Sequence, residues 1–245
     1  ENFERNAKNA RASRHIITIL PYDLLRHRQC KPVIHAKTLV MTTPNAWVFL
    51  DLDGTMTDAG PGITKSIAYA LEKMGKTPPT LKDLEKYVGP ALQETFPQLG
   101  VDDVDAALGF YRERYTDVGL FENSLYDGVH QMMDDLRAQG FKRAMATAKP
   151  LVYARRITEH YDLAPRIEQQ FGSELGGWLT NKKDLLEHAL KETGADPAAS
   201  FMLGDRSHDA IGARHNNITP LGALWGFGSR PELEQSQCAA IGDAP

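Results

Sequence analysis

The sequence predicts an α/β protein: a doubly wound parallel sheet with an all-helical domain inserted after its first strand. Three observations carry this. Short apolar runs recur along the chain, helical stretches separate them, and one gap between strands is too long for a single crossover.

The first run, Trp47-Val48-Phe49-Leu50, is continuously apolar, as in a strand buried on both faces. Further strands are expected at Arg143–Thr147, Ser200–Gly204 and Thr219–Trp225. Helices are expected at Gly128–Gln139, Val152–Tyr161, Lys183–Thr193 and Asp209–Asn216, with Gly140 and Gly194 placed to end two of them.

Residues 62–127 read as four helices: Gly62–Met74, Leu81–Tyr87, Ala91–Phe96 and Val104–Val118. In the first, Ile63, Ile67, Ala70, Leu71 and Met74 follow the three/four spacing of an amphipathic helix. An insertion at this point sits over the carboxyl end of the first strand, where open α/β sheets bind ligands. The expected organisation is a basic extension over residues 1–40, a core of residues 41–61 and 128–245, and a helical cap of residues 62–127.

With 245 residues, 42% of them hydrophobic, the chain can bury one core plus an insertion. No apolar run approaches the roughly 20 residues of a membrane span. Ile16-Ile17-Thr18-Ile19-Leu20 is too short for a signal-peptide core and runs into Pro21. Cys30 and Cys238 lie outside any metal-ligand spacing and read as reduced thiols of a cytoplasmic protein. The net charge of −4 divides into +5 over residues 1–40 and −9 over the rest. The basic segment reads as a tail or upstream sequence in preference to an Arg-rich targeting or nucleic-acid-binding arm. An acidic body argues against a nucleic-acid partner and suits carboxylates gathered around a divalent cation.

Asp51 and Asp53 follow the first apolar strand with one residue between them, so period-two geometry brings both carboxylates to one sheet edge. Like charges this close need a cation or a proton between them. An Asp-Gly turn explains one aspartate but not Asp51. A second pair, Asp205 and Asp209 in Gly204-Asp205-Arg206-Ser207-His208-Asp209, follows another apolar strand, and such hard oxygen ligands suit Mg²⁺. One of that pair could instead be a helix N-cap. Arg206, Ser207 and His208 read as loop residues.

Thr147 ends its strand at the same edge and could hold a phosphate oxygen. Lys149 reads equally as a solvated loop charge or a substrate contact. Either Lys182 or Lys183, in the first turn of a helix capped by Thr180-Asn181, would oppose the helix dipole by about 0.3–1 kcal/mol unless an anion binds there.

Taken in order, Asp51-Leu52-Asp53-Gly54-Thr55, Thr147, Lys182 and the Gly204–Asp209 segment resemble the haloacid dehalogenase superfamily. The likeness covers Trp47 to Gly242. Thr57-Asp58, Pro61-Gly62-Ile63, Val88-Gly89-Pro90, Ala146-Thr147-Ala148-Lys149-Pro150 and Trp225-Gly226-Phe227-Gly228-Ser229 are similar to its phosphoglycolate-phosphatase-like and 5′-nucleotidase-like branch. In that branch a final helix usually follows, and here it is expected to be short or missing.

The resemblance implies a Rossmann-like core and a Mg²⁺-dependent phosphatase acting on a small phosphorylated metabolite, such as a nucleoside monophosphate or a phosphoglycolate-like ester. It implies Asp51 as nucleophile and Asp53 as acid/base. Thr147 and Lys182 would hold the phosphate. The metal would sit on the Asp51 carboxylate, the Asp53 backbone carbonyl and Asp205, with Asp209 in support. No nucleic-acid or membrane partner is expected, and the chain would act as a monomer or homodimer. A phosphomutase of the same superfamily is the main alternative, and a non-catalytic regulatory protein on the same fold the lesser one. Tyr87, Gln93, Arg112, Arg114 and Tyr115 are the cap residues from which substrate contacts would come.

Overall fold

The computed structural model describes residues 45–245. The basic segment of residues 1–40, Met41 and Cys30 lie outside the described residues.

Strand β1 (Trp47–Leu50) is central in a six-stranded parallel sheet. On one side lie β4 (Lys142–Pro150) and β5 (Gln169–Ser173). On the other lie β6 (Phe201–Gly204), β7 (Thr219–Ala223) and β8 (Ala240–Gly242). Val48 and Leu50 face one apolar cluster while Trp47 and Phe49 face another, so the run is apolar throughout because it is covered on both sides. The chain departs from β1 in both directions across the sheet, which makes its carboxyl end the topological switch point.

Two expected strands differ in extent. β4 continues past Thr147 to Pro150 through an irregularity in its pairing with β5, and β7 stops at Ala223. The edge strands β5 and β8 were not expected. β5 reads Gln-Gln-Phe-Gly-Ser and β8 is three residues long, so neither shows the apolar run of an interior strand. A six-residue helix, Arg230–Gln235, precedes β8.

Helix α1 spans Gly60–Lys73, α2 Leu81–Leu84, α3 Leu92–Gln98 and α4 Val104–Tyr115, with single 3₁₀ turns at Glu85–Tyr87 and Gly119–Phe121. α1 starts two residues before the expected Gly62, because Pro61 is tolerated in a first turn whose N–H groups lack helical partners. Two short strands, β2 (Thr57–Asp58) and β3 (Ser124–Leu125), pair antiparallel where the chain leaves and re-enters the core. Gly62 and the Gly119 carbonyl touch so closely that no Cβ fits at position 62. This seam seats α1 against the returning strand.

In the core, α5 (Val129–Ala138), α6 (Leu151–His160), α7 (Lys182–Thr193) and α8 (Ser207–His215) flank the sheet. Among the described residues no helix is long and apolar enough to cross a membrane.

Candidate active site

The carboxyl ends of β1, β4 and β6 and the first turns of α7 and α8 deliver the predicted residues to one buried place. Asp51, Asp53, Thr147, Lys182, Asp205 and Asp209 are all less than 10% exposed. The backbone N–H of Asp51 still follows the sheet, donating to Leu203 O at 3.0 Å. The chain then turns sharply, as the N–H groups of Met56 and Thr57 both reach Leu52 O at 2.9 Å.

Because of that turn, the two aspartates of the first segment have different partners. Asp51 Oδ1 accepts from Leu52 N at 2.8 Å and lies 3.1 Å from Lys182 Nζ. Asp53 Oδ2 lies 2.6 Å from Lys149 Nζ, while Asp53 Oδ1 is buried with no partner among the described residues. Lys149 is thus not a solvated loop charge: it is a buried counterion of Asp53. Since β4 runs on to Pro150, Thr147 and Lys149 are alternate strand residues, and the period of two was the signal in the sequence.

Of the two lysines left open, Lys182 is the buried one. Its ammonium donates to Ala146 O at 2.7 Å and pairs with Asp209 Oδ1 at 2.7 Å. Gly212 on α8 gives its stem room, because a Cβ there would stand 3.0 Å from Lys182 Cβ and Cγ. Lys183 donates its backbone N–H to the Asn181 side chain, which caps α7.

Asp209 does two things. Its Oδ2 accepts from Arg206 N at 3.2 Å, capping α8, while Oδ1 holds Lys182. Asp205 is wedged among glycines: added Cβ atoms at Gly54, Gly226 or Gly228 would collide with it. Its Oδ2 accepts from Phe227 N at 2.8 Å, and Trp225 Nε1 donates to Thr55 O at 2.9 Å. The Trp225–Ser229 loop is therefore the wall that fixes Asp205. His208, expected to be a loop residue, lies in the first turn of α8. One ring nitrogen and one oxygen each of Asp51 and Asp209 fall within 4.8 Å of one another.

Four buried carboxylates face two buried lysines, a surplus of two negative charges. Burial raises the Asp51 carboxyl above its ordinary value, Lys182 lowers it, and Asp209 pushes it back up. Asp205 is raised well above, by burial first and then by Asp209 and Asp51. Burial raises Asp209, but Lys182, His208 and the Arg206 N–H together outweigh it and leave Asp209 below its ordinary value. Burial lowers Lys182, but Asp209 and Asp51 more than reverse it and hold the ammonium charged. Oxygen donors with a surplus of two charges fit a hard dication such as Mg²⁺.

Over this edge lies a cavity between cap and core. Tyr87, Gln93, Arg112 and Tyr115 line it together with Asp53 and Lys149. Arg114 does not: it turns away to Glu122 Oε2 at 2.8 Å and Ser66 Oγ at 3.2 Å. A second opening, lined by Lys182, Lys183 and His208, shares the Gly89–Ala91 loop with this cavity.

Residues 48–223 match the haloacid dehalogenase-like hydrolase family. A 5′-nucleotidase of Pseudomonas aeruginosa is 39% identical over 193 residues, covering 78% of this chain and 87% of that one. A tyrosine-protein kinase of Mycobacterium tuberculosis, PtkA, is 34% identical over 195 residues, covering 79% of this chain and 67% of the kinase. The crystal structure of a predicted phosphatase from Clostridium acetobutylicum superposes with a TM-score of 0.77 at 37% identity, covering 80% of this chain and 93% of that one. With the match extending over most of its length, this chain belongs to the haloacid dehalogenase-like hydrolase family.

Proposed function

We propose that this chain is a Mg²⁺-dependent phosphatase, hydrolysing a small phosphomonoester through a phosphoaspartyl intermediate on Asp51. The observation that carries the reading is the pairing of Asp51 with Lys182 and of Asp53 with Lys149 at one sheet edge. Two adjacent carboxylates with separate counterions are suited to two separate tasks. The name of the Pseudomonas relative supports a phosphomonoester substrate such as a nucleoside monophosphate, and a phosphoglycolate-like ester is the other candidate.

Asp51, with one oxygen held by Leu52 N and Lys182, attacks phosphorus with its carboxylate. A bond from that carboxylate to phosphorus forms as the bond to the leaving oxygen breaks, and Asp53 gives the leaving oxygen its proton. Asp53 then takes a proton from water, the water oxygen bonds to phosphorus, and Asp51 is released with inorganic phosphate. Lys182 and the Thr147 hydroxyl neutralise and position the phosphoryl oxygens. Mg²⁺ would be held by the Asp51 carboxylate, the Asp53 backbone carbonyl and Asp205, with Asp209 in support, and would supply further charge neutralisation there.

The test is Asp53→Asn with p-nitrophenyl phosphate in Mg²⁺. That leaving group needs little protonation, so the variant should release a burst of nitrophenolate, trap a phosphoenzyme and then turn over slowly. Asp51→Asn should show neither burst nor label. Wild-type turnover by Asp53→Asn, or label on another residue, would refute the assignment.

A further inference from the structure

One aromatic ring of the inserted helices reaches the pair formed by Asp53 and Lys149. Lys149, on β4, is a buried residue whose ammonium lies 2.6 Å from Asp53 Oδ2. Among the described residues that oxygen is the one hydrogen-bond acceptor of the ammonium. Its nitrogen also stands over the ring of Tyr115, at the end of α4, 5.0 Å from the centroid. An ammonium almost out of water, with a single acceptor, gains from the negative face of a ring.

That ring is held from several sides. Tyr115 is 2% exposed, stacks on Tyr111 at 5.0 Å with the planes 18° apart, and meets Tyr153 edge-on at 5.7 Å. Tyr153 belongs to the core helix α6, and its hydroxyl is 3.1 Å from Oγ1 of Thr116, the next residue after Tyr115. At Gly119 an added Cβ would stand 3.0 Å from Tyr115 Cδ2, so that side is closed as well. The Tyr115 hydroxyl, by contrast, has no hydrogen-bond partner among the described residues. What Tyr115 contributes here is its face.

We propose that Tyr115 is a positioning residue, whose ring face fixes the Lys149 ammonium and, through it, the Asp53 carboxyl. The clamped ring comes from α4 and the lysine from β4, so the inserted helices supply part of the support for a core side chain. Proton transfer to a leaving group depends on where the donor stands, and a small displacement of Asp53 should cost about tenfold. The task of Asp53 is that of the phosphatase reading above, on which this kinetic consequence rests.

Tyr115→Phe keeps the ring and deletes only the unpartnered hydroxyl. Pentafluorophenylalanine at position 115 keeps nearly the same shape and reverses the polarity of the face. Phenyl phosphate needs a proton on its leaving oxygen, and p-nitrophenyl phosphate needs little. Tyr115→Phe should keep the wild-type ratio of kcat/KM for the two esters. The fluorinated variant should lose about tenfold more on phenyl phosphate than on p-nitrophenyl phosphate. A loss equal for both esters, as from a loosened cap, or no loss at all, would overturn the proposal.

Urea unfolding in EDTA needs no turnover. Replacing Phe by pentafluorophenylalanine at position 115 should raise the unfolding constant about tenfold when Lys149 is present. In the Asp53→Asn/Lys149→Met background the same replacement should change it little. Equal effects in the two backgrounds would defeat the Tyr115 assignment alone. Coupling in urea, with neither ester hydrolysed by the wild type, would defeat the phosphatase reading and leave the hold of Tyr115 on Lys149 standing.

Discussion

Lys149 Nζ lies 2.6 Å from Asp53 Oδ2, with 5% and 9% of the two side chains exposed. The relationship separates two aspartates that are only two positions apart, since Asp51 answers to Lys182 instead.

Removing one member of a buried ion pair leaves the other charge without compensation. Lys149→Met should therefore lower stability by about 3–5 kcal/mol. The double variant Asp53→Asn/Lys149→Met should recover much of that loss. Urea unfolding at pH 7 in EDTA of the wild type, the two single variants and the double variant measures the cycle, and simple additivity of the two substitutions would contradict the coupling.

Asp205 gives a pH dependence with a definite sign. Its folded carboxyl titrates well above the ordinary value of 3.8, so the folded state binds its proton more tightly than the unfolded chain does. The resulting stability is fully present below 3.8 and is lost as pH rises through the folded value. In EDTA, Tm should fall as pH rises through that window, Asp205→Asn should flatten the fall, and Mg²⁺ should raise the wild-type Tm most at the upper end. Asp205→Asn should also weaken Mg²⁺ activation more than Asp209→Asn does. Asp209→Asn should instead cost more stability in EDTA, because Asp209 caps α8 and holds Lys182. An EDTA-insensitive Tm and activity would count against the metal.

Glu122 ties the returning strand to the cap, with Arg114 at 2.8 Å and Lys65 at 2.9 Å. Its carboxyl lies below the ordinary 4.5, chiefly through the Arg114 hydrogen bond. A depressed carboxylate contributes stability above its unfolded value and loses it as pH falls through the folded one. Glu122→Gln should cost about 0.5–1 kcal/mol at pH 7. That deficit should disappear as the wild-type carboxyl protonates, which paired thermal melts at pH 7 and pH 3.5 can read.

Arg206 reaches from the Asp205–Asp209 segment to the cap. It donates to Val88 O at 2.7 Å and to Glu232 Oε1 at 3.1 Å. Arg206→Met should speed amide exchange in the cap segment 85–91 and raise KM for p-nitrophenyl phosphate about three- to tenfold, the effect of about one ordinary hydrogen bond. The Mg²⁺ activation constant should change little, because Asp209 bonds the Arg206 backbone and not its side chain. Unchanged exchange in segment 85–91 would show that the contact does not hold the cap loop.

Much of the molecule was legible from local pattern. The run Trp47–Leu50 implied a central strand because only burial on both faces permits four consecutive apolar residues there. The three/four spacing from Ile63 to Met74 implied a helix packed on one face. The aspartates, Thr147 and a first-turn lysine were visible because the ends of parallel strands bring them to one edge. What the sequence could not show was decided by turns and by packing between distant segments. The turn at Leu52 separated Asp51 from Asp53. The continuation of β4 to Pro150 carried Lys149 inward, and contact with Gly212 selected Lys182 over Lys183. The edge strands β5 and β8 were hidden because an edge partner supplies backbone hydrogen bonds and needs few apolar side chains. Cap residues were the least legible of all. Arg114 and Tyr115 are neighbours on one helix, and only the fold turns one to Glu122 and the other into the cavity.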